Sequence, residues 1–117
     1  MKIKEIAEIL QATPVTPNVD FEREVHTACG SDMMSDVLAY VKNQSVLITG
    51  LNNPQVVRTA DMMDMVCIVF VRGKKPDEQI LTLAQERHIA VFTSELTMFT
   101  ACGKLYEQGL RGGESHG

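Results

Sequence analysis

The sequence predicts an α/β fold, a three-layer α/β/α domain with a mainly parallel sheet. Short apolar runs stand at residues 46–49, 66–71 and 89–93. None of them alternates apolar with polar residues, which is typical of strands that are buried on both faces of a parallel sheet. Segments with apolar residues at helical spacing separate the runs, and right-handed β-α-β crossovers make the three strands parallel.

The first half of the chain contains further elements. Residues 2–11 have an amphipathic helical pattern, and residues 21–29 resemble a strand, with a short strand expected near Val15. A second helix follows, and its apolar stripe includes Leu38. We expect that helix to end at Asn43-Gln44.

Caps and prolines locate the later helices. Asn53 is expected to be the N-cap of the third helix, with Pro54 in its first turn. Pro76 suits the first turn of the fourth helix. Either Ser94 or Thr97 can cap the last helix.

Length and composition limit the class of protein. The chain has 117 residues, enough for one domain over residues 1–110 and a disordered tail over residues 111–117. Its net charge is -4 and it has no large basic cluster, which argues against nucleic-acid binding. No apolar run reaches the roughly 20 residues of a membrane helix, and the charged N-terminus does not resemble a signal peptide. Three cysteines without a C-x-x-C motif indicate a reduced, cytoplasmic protein.

The loops that follow the strands are the predicted ligand-binding region. Residues 50–53, 72–75 and 93–97 should share the edge of the sheet where parallel strands end, and ligands of open α/β sheets bind there. Residues 30–32 join them if their strand runs in the same direction. The candidate ligand-binding residues are Gly50, Asn52, Asn53, Arg72, Gly73, Lys74 and Ser94, together with Asp32 and Ser35 from the fourth loop.

Several of these residues have a second interpretation. Gly50 and Gly73 can let backbone N–H groups approach an anion, or can serve turns that need positive φ. Arg72 points into the crevice or out to water. Asp32 and Ser35 are more simply explained as helix-capping or first-turn residues than as ligands.

The methionines suggest a surface for self-association. Met33 and Met34, and likewise Met62 and Met63, are neighbours in the sequence, so only one of each pair can face the core. The other member can lie at an interface, where flexible methionine packs easily, or in a buried loop.

No catalytic or metal-binding set is recognisable. The glycines form neither G-x-G-x-x-G nor G-x-x-x-x-G-K-[ST]. His26 and His88 have no Cys, His or acidic partner at metal-ligand spacing. We therefore assign no catalytic residue, no metal and no cofactor.

Two short segments carry a family resemblance. Gly50-Leu51-Asn52 and Val71-Arg72-Gly73 stand where the DRTGG domain family has Gly-Asp-Arg and Thr-Gly-Gly, each directly after a strand. Pro76 and residues 89–93 also match the family pattern, and residues 32–38 resemble the segment that precedes the domain in its short, stand-alone members. The chain thus resembles a stand-alone DRTGG domain over about residues 1–110, although only Gly50 and Gly73 remain of the two signatures.

The resemblance implies a function as well as a fold. DRTGG domains look like regulatory modules, and they occur beside CBS pairs in some pyrophosphatases and in some phosphotransacetylases. Stand-alone members are similar to the N-terminal domain of HPr kinase/phosphorylase, which lacks the kinase active site, and some are encoded near iron-hydrogenases. The family implies homodimers and no established reaction.

We therefore expect a non-catalytic, homodimeric regulatory domain that binds a nucleotide or another small anion. A link to energy or hydrogenase metabolism and a protein partner are part of this expectation. Two alternatives stay open. One is a small enzyme that uses Asp32, Asp36, Asn52 and Arg72 at the carboxyl edge. The other is a dimerisation or scaffold protein without a ligand.

Overall fold

The computed structural model describes residues 1–40 and 44–112, which build a five-stranded sheet with helices on both faces. The strands are β1 (Thr13–Pro14), β2 (Thr27–Gly30), β3 (Ser45–Thr49), β4 (Cys67–Phe70) and β5 (Ala90–Thr93). The helices are α1 (Ile3–Leu10), α2 (Met34–Tyr40), α3 (Gln55–Met62), α4 (Glu78–Glu86) and α5 (Met98–Glu107).

The strand order is β1-β5-β4-β3-β2. Strands β2 to β5 are parallel neighbours in chain order, and β1 pairs antiparallel with β5. Because every crossover steps in the same direction, right-handed connections place α2, α3 and α4 on one face of the sheet. Helices α1 and α5 cover the other face. The predicted three-layer α/β/α fold with a mainly parallel sheet is therefore confirmed.

Each face of the sheet has its own hydrophobic core. Along β3, Val46 and Ile48 pack toward α1 and α5, whereas Leu47 packs toward the other three helices. Along β4, Val69 and Phe70 divide between the two cores in the same way. All of these side chains are buried, which explains why the strands lack polar alternation.

The first half of the chain departs from its predicted pattern in two places. The strand predicted over residues 21–29 is β2, which begins only at Thr27; Phe21 lies in a turn, and its ring meets that of Phe92 edge-on at 6.0 Å. Leu38, predicted to face the core, is 45% exposed on α2. The strand expected near Val15 is β1, which ends one residue earlier.

Caps and prolines lie within one or two positions of their predicted places. Pro76, predicted for the first turn of α4, precedes that helix, because Asp77 is its N-cap. Pro54 occupies the N-cap of α3, and Asn53 beside it accepts a hydrogen bond from Gln55 N–H at 2.8 Å, so the expected cap lies one residue early. Thr97 rather than Ser94 caps α5.

Two predictions concern residues 41–43 and 113–117, which are not described. The expected end of α2 at Asn43 and most of the expected tail lie outside the described residues. Arg111, in the part of the tail that is described, accepts a hydrogen bond from Ala28 N–H of β2 at 2.9 Å. Among residues 1–40 and 44–112, none of the helices has the length and apolar character needed to cross a bilayer.

Candidate functional site

The four predicted loops lie at one edge of the sheet, which we call the carboxyl edge because β2, β3, β4 and β5 all end there. The parallel pairing of β2 with β3 brings residues 30–32 to the same edge as the other three loops. The nine candidate residues are therefore gathered by topology alone. Their side chains, however, do different things.

Asp32 joins the loop after β2 to the loop after β3. Its Oδ1 accepts hydrogen bonds from the backbone N–H of Gly50 at 2.7 Å and from the hydroxyl of Thr49 at 3.1 Å. The Thr49 hydroxyl in turn accepts a hydrogen bond from Leu51 N–H at 3.1 Å. Asp32 thus does not cap α2, as its position in the sequence suggested; it fixes the loop that begins α3.

Arg72 lies directly over Gly50. A Cβ atom built on Gly50 would be 2.7 Å from one terminal nitrogen of the Arg72 guanidinium, closer than real Cβ contacts allow. Gly50 does not have a positive φ. Its lack of a side chain therefore serves the close approach of Arg72 rather than a turn.

Arg72 and Gly73 form a tight left-handed turn after β4. Their φ angles are 59° and 66°, and Lys74 N–H donates to Val71 O at 3.2 Å, the pattern of a type I′ turn. A positive φ is uncommon for arginine and costs free energy, so the turn must be held by its surroundings. The N–H groups of Arg72 and Gly73 donate to Leu96 O at 2.8 Å and to Ser94 O at 2.9 Å.

Ser94 and Glu95 complete the loop after β5. The Ser94 hydroxyl is buried, donates to Leu10 O at 2.7 Å and accepts from Leu96 N–H at 3.2 Å. It is a structural contact to α1 and points away from solvent. The Glu95 carboxylate instead lies beside Gly73, where an added Cβ would be 2.6 Å from Oε2.

The two amides play separate parts at this edge. Asn52 donates a hydrogen bond from Nδ2 to Lys75 O at 3.0 Å, which links the loops after β3 and β4. The side chain of Asn53 is engaged at the start of α3. Asp77 caps α4 by accepting from Ile80 N–H at 3.0 Å. Backbone N–H groups at these helix starts are thus partly occupied by the protein's own side chains.

The cationic side chains at this edge are unpaired. Arg72, Lys74 and Lys75 are exposed, and their side chains form no hydrogen bond or ion pair with any described residue. The ion pairs among described residues lie elsewhere, at the N-terminus and between Arg87 and Asp61. The carboxyl edge therefore presents free positive charge.

The described residues show no other chemistry at this edge. Ser35 is exposed on the first turn of α2, and its side chain has no hydrogen-bond partner among the described residues. Over residues 1–40 and 44–112, no three His, Cys, Asp or Glu residues are grouped so that they could hold a metal ion. What the arrangement can do is bind an anion through Arg72 and neutral groups through Asn52.

Sequence reasoning missed two contributors to the site, Thr49 and Glu95. Thr49 is a polar residue at the end of a buried strand, and that pattern could have indicated its role. Glu95 gave no comparable signal, because its position beside Gly73 depends on how the loop after β5 folds.

The fold is an α/β domain built around a mainly parallel sheet, with four strand-end loops gathered at its carboxyl edge. Residues 5–107 match the family model of the DRTGG domain, so the chain belongs to the DRTGG domain family. Among curated proteins, none matches the chain.

A solved structure has a similar fold. It is the crystal structure of the CBS and DRTGG domains of the regulatory region of Clostridium perfringens pyrophosphatase, complexed with its activator diadenosine tetraphosphate. The TM-score is 0.74 at 19% sequence identity, and the match covers 89% of this chain and 45% of the other. The chain thus spans less than half the length of that regulatory region, and at this identity the similarity concerns the fold.

Proposed function

We propose that this protein is a non-catalytic, homodimeric regulatory domain that binds a nucleotide or another small anion at the carboxyl edge. One observation carries the proposal: the Arg72 guanidinium lies against Gly50, on a strained turn, without a partner among the described residues. Residues in sparsely populated backbone conformations persist only where their surroundings hold them, and they cluster at functional sites. Other described residues, such as Gln11 and Asp64, also have positive φ, so it is the unpaired guanidinium that singles out Arg72.

The chemistry of this edge suits a phosphate. A guanidinium presents a planar fork of N–H donors that matches phosphate oxygens, and Lys74 and Lys75 add charge beside it. The amide oxygen of Asn52 can accept a hydrogen bond from an N–H or O–H group elsewhere on the ligand, since the bond to Lys75 uses the nitrogen; it does not contribute to phosphate binding. The net charge of -4 makes this concentration of unpaired cations unusual for the molecule.

The similar fold of the pyrophosphatase regulatory region supports a nucleotide as the ligand class, because that region, which contains CBS and DRTGG domains, was solved in complex with diadenosine tetraphosphate. A regulated protein partner and a link to energy or hydrogenase metabolism are suggested by the family resemblance, and a cytoplasmic location is suggested by the cysteine pattern; all three are part of the proposal. The domain would report ligand binding to that partner.

Helix α5 offers a surface for the homodimer. Phe99 is 89% exposed and Tyr106 is 60% exposed on the same face, with Gly103 between them. A Cβ at Gly103 would meet nothing within 4 Å, so there is open space beside this glycine. The space belongs to a shallow apolar groove of about 800 Å³ along α5. Two antiparallel copies of α5 crossing at Gly103 would place each Phe99 against the Tyr106 of the other copy, a self-complementary two-fold contact.

The methionines Met33 and Met62 are a weaker basis for the dimer. They are 61% and 67% exposed, whereas Met34 and Met63 pack against the core, as the sequence indicated. However, Met33 precedes α2 at the carboxyl edge and Met62 ends α3 at the opposite edge. They do not belong to one patch, and we therefore assign the dimer to α5.

A thermal-shift screen tests the ligand site. Wild-type protein would be heated with ATP, ADP, AMP, diadenosine tetraphosphate and phosphorylated metabolites, and every hit repeated on Arg72→Ala. Losing a charge-assisted bond should cost about 1.5–3 kcal/mol, or roughly 10- to 150-fold in affinity. Arg58→Ala is the matched control, because Arg58 is an exposed arginine on α3 that is also unpaired among described residues.

Two results would contradict the ligand site. If a hit stabilises wild type and Arg72→Ala equally, the ligand binds elsewhere. If no small anion stabilises the wild type, a dimerisation or scaffold function without a ligand becomes the better explanation.

A further inference from the structure

A second concave feature lies at the opposite edge of the sheet, where β4 and β5 begin. It encloses about 450 Å³, within the range of about 300–1,000 Å³ that small-molecule sites occupy. The apolar part of its lining comes from the starts of α1, β4 and β5 and includes Ile3, Val66, Ile89 and Ala90. One wall is the connection between β1 and β2, and the other is the turn after α4.

The wall between β1 and β2 is fixed at both ends. At one end, the Thr16 hydroxyl accepts a hydrogen bond from Val91 N–H in β5 at 3.1 Å. At the other end, the carbonyls of Phe21 and Arg23 each accept a hydrogen bond of 3.0 Å from amides in the first turn of α1. The chain between these anchors is therefore held in place as a wall of the cavity.

Arg23 and His88 line this cavity from its two walls. Neither side chain forms a hydrogen bond or ion pair with a described residue. Burial raises the pKa of Cys67 to about 12, and the Arg23 guanidinium opposes that rise, so the guanidinium is within electrostatic reach of the first residue of β4. His88 has a φ of 58° directly after the C-cap of α4, a left-handed position at which histidine is more common than most other non-glycine residues.

The remaining polar groups are neutral or partly engaged. Gln85 and Asn18 contribute amides to the lining. Asp20 contributes a carboxylate, and its Oδ1 already accepts a hydrogen bond from Glu22 N–H at 3.1 Å. An unpaired arginine, apolar residues and two amide residues line the same cavity, and this combination matches a ligand that has one anionic group and an apolar body.

We propose that this cavity is a second ligand site, which binds a small organic anion. The carboxylate or phosphate of the ligand pairs with Arg23, its ring or alkyl body rests on the apolar lining, and His88 donates or accepts a further hydrogen bond. This goes beyond the function proposed above, because the cavity lies at the other end of the strands from Arg72.

Protein NMR can test the site directly on a chain of 13.0 kDa. The ¹⁵N-labelled protein would be titrated separately with phenyl phosphate, benzoate and inorganic phosphate. We expect saturable shifts of the Val66, Ile89 and Ala90 amides with phenyl phosphate or benzoate, and comparison of the two identifies the preferred anionic group. Inorganic phosphate should bind more weakly because it cannot use the apolar lining.

Two variants remove the polar contacts without disturbing the backbone. Arg23→Met keeps an unbranched stem and removes the charge, and should weaken binding by roughly 10- to 150-fold. His88→Asn removes the imidazole at a left-handed position that asparagine tolerates, and should also weaken binding. The control Arg72→Ala should bind as the wild type does, which separates this site from the carboxyl edge.

Three outcomes would overturn the proposal. One is the absence of saturable binding by both organic anions. Another is a set of shifts confined to the carboxyl-edge loops and abolished by Arg72→Ala. The third is equal affinity for inorganic phosphate and phenyl phosphate. If Arg23→Met does not fold, unchanged binding by a folded His88→Asn protein counts against the proposal.

Discussion

The carboxylate of Asp32 accepts a hydrogen bond from the backbone N–H of Gly50 at 2.7 Å, although the two residues belong to different loops. Because β2 and β3 are parallel neighbours, their ends meet at the same edge, and one side chain can fix the start of the next loop. Gly50 in turn leaves room for the guanidinium of Arg72, which lies in the turn after β4. Three successive strand ends are thus coupled through Gly50.

The bond between Asp32 and Gly50 should contribute to stability. Asp32→Ala leaves the buried N–H of Gly50 without its partner and should lower the free energy of unfolding by about 1–3 kcal/mol. Urea unfolding measures this, with Asp36→Ala as control, since Asp36 is an exposed neighbour on α2. Equal midpoints for the two variants would show that the bond contributes nothing measurable.

Gly50→Ala should impair ligand binding more than folding. The added Cβ meets the far end of the flexible Arg72 side chain, so the guanidinium moves away at little cost in stability. The expected result is a stable protein that has lost much of the ligand-induced thermal shift. If Gly50→Ala responds to the ligand as the wild type does, the position of the guanidinium over Gly50 is irrelevant.

Gly73→Ala, unlike Gly50→Ala, should lower the stability of the fold. Gly73 has a φ of 66°, and a side chain there costs about 1–2 kcal/mol. The Cβ would also press on the Glu95 carboxylate. We expect a lower urea midpoint than for Gly50→Ala; a midpoint at or above that of Gly50→Ala would contradict the backbone argument.

Helix α5 should mediate the homodimer. Light scattering at micromolar concentration should give twice the chain mass for wild type and a single chain mass for Phe99→Glu, because two buried carboxylates would oppose the contact. Met62→Glu is the matched control on the other face of the sheet. A monomeric wild type would refute the dimer, and dissociation by Met62→Glu alone would move the interface to the other face.

The purified protein should neither hydrolyse ATP nor phosphorylate a protein. Asp32, one of the two candidate carboxylates of the small-enzyme alternative, is engaged with Gly50 and Thr49, and the sequence has no phosphate-binding loop motif beside Asp36. Phosphate release and radiolabel transfer are the measurements. ATP turnover that disappears in Asp36→Ala or Arg72→Ala would support the small-enzyme alternative.

Cys67 should be unreactive and should make stability depend on pH in the alkaline range. Burial raises the pKa of its thiol from 9.0 to about 12, so the unfolded chain loses this proton at lower pH than the folded chain. Its contribution is complete below about pH 9 and is lost as pH rises toward 12. Between about pH 9 and 12, the free energy of unfolding measured with urea should fall more steeply with pH for wild type than for Cys67→Ala. An equal fall in the two proteins would contradict this prediction.

Periodicity in the sequence was sufficient for the architecture. Apolar runs without alternating polar residues, such as residues 66–71, occur where both faces of a strand are buried. The structure has a hydrophobic core on each side of the sheet, which accounts for them. The strand predicted over residues 21–29 was too long because Phe21 is apolar for a different reason, its contact with Phe92 across a turn. A local pattern cannot distinguish an apolar residue buried in a strand from one, such as the 38% exposed Phe21, that contacts another ring from a turn.

The sequence by itself determined which residues stand at the ends of the strands, since caps, glycines and prolines act within a few positions of the chain. Only the tertiary structure decided what those residues do. Asp32 bonds to Gly50, Ser94 turns inward to Leu10, and Arg72 remains unpaired over a glycine. These contacts join residues far apart in the chain, and strand order and sheet register, which no local pattern encodes, bring them together.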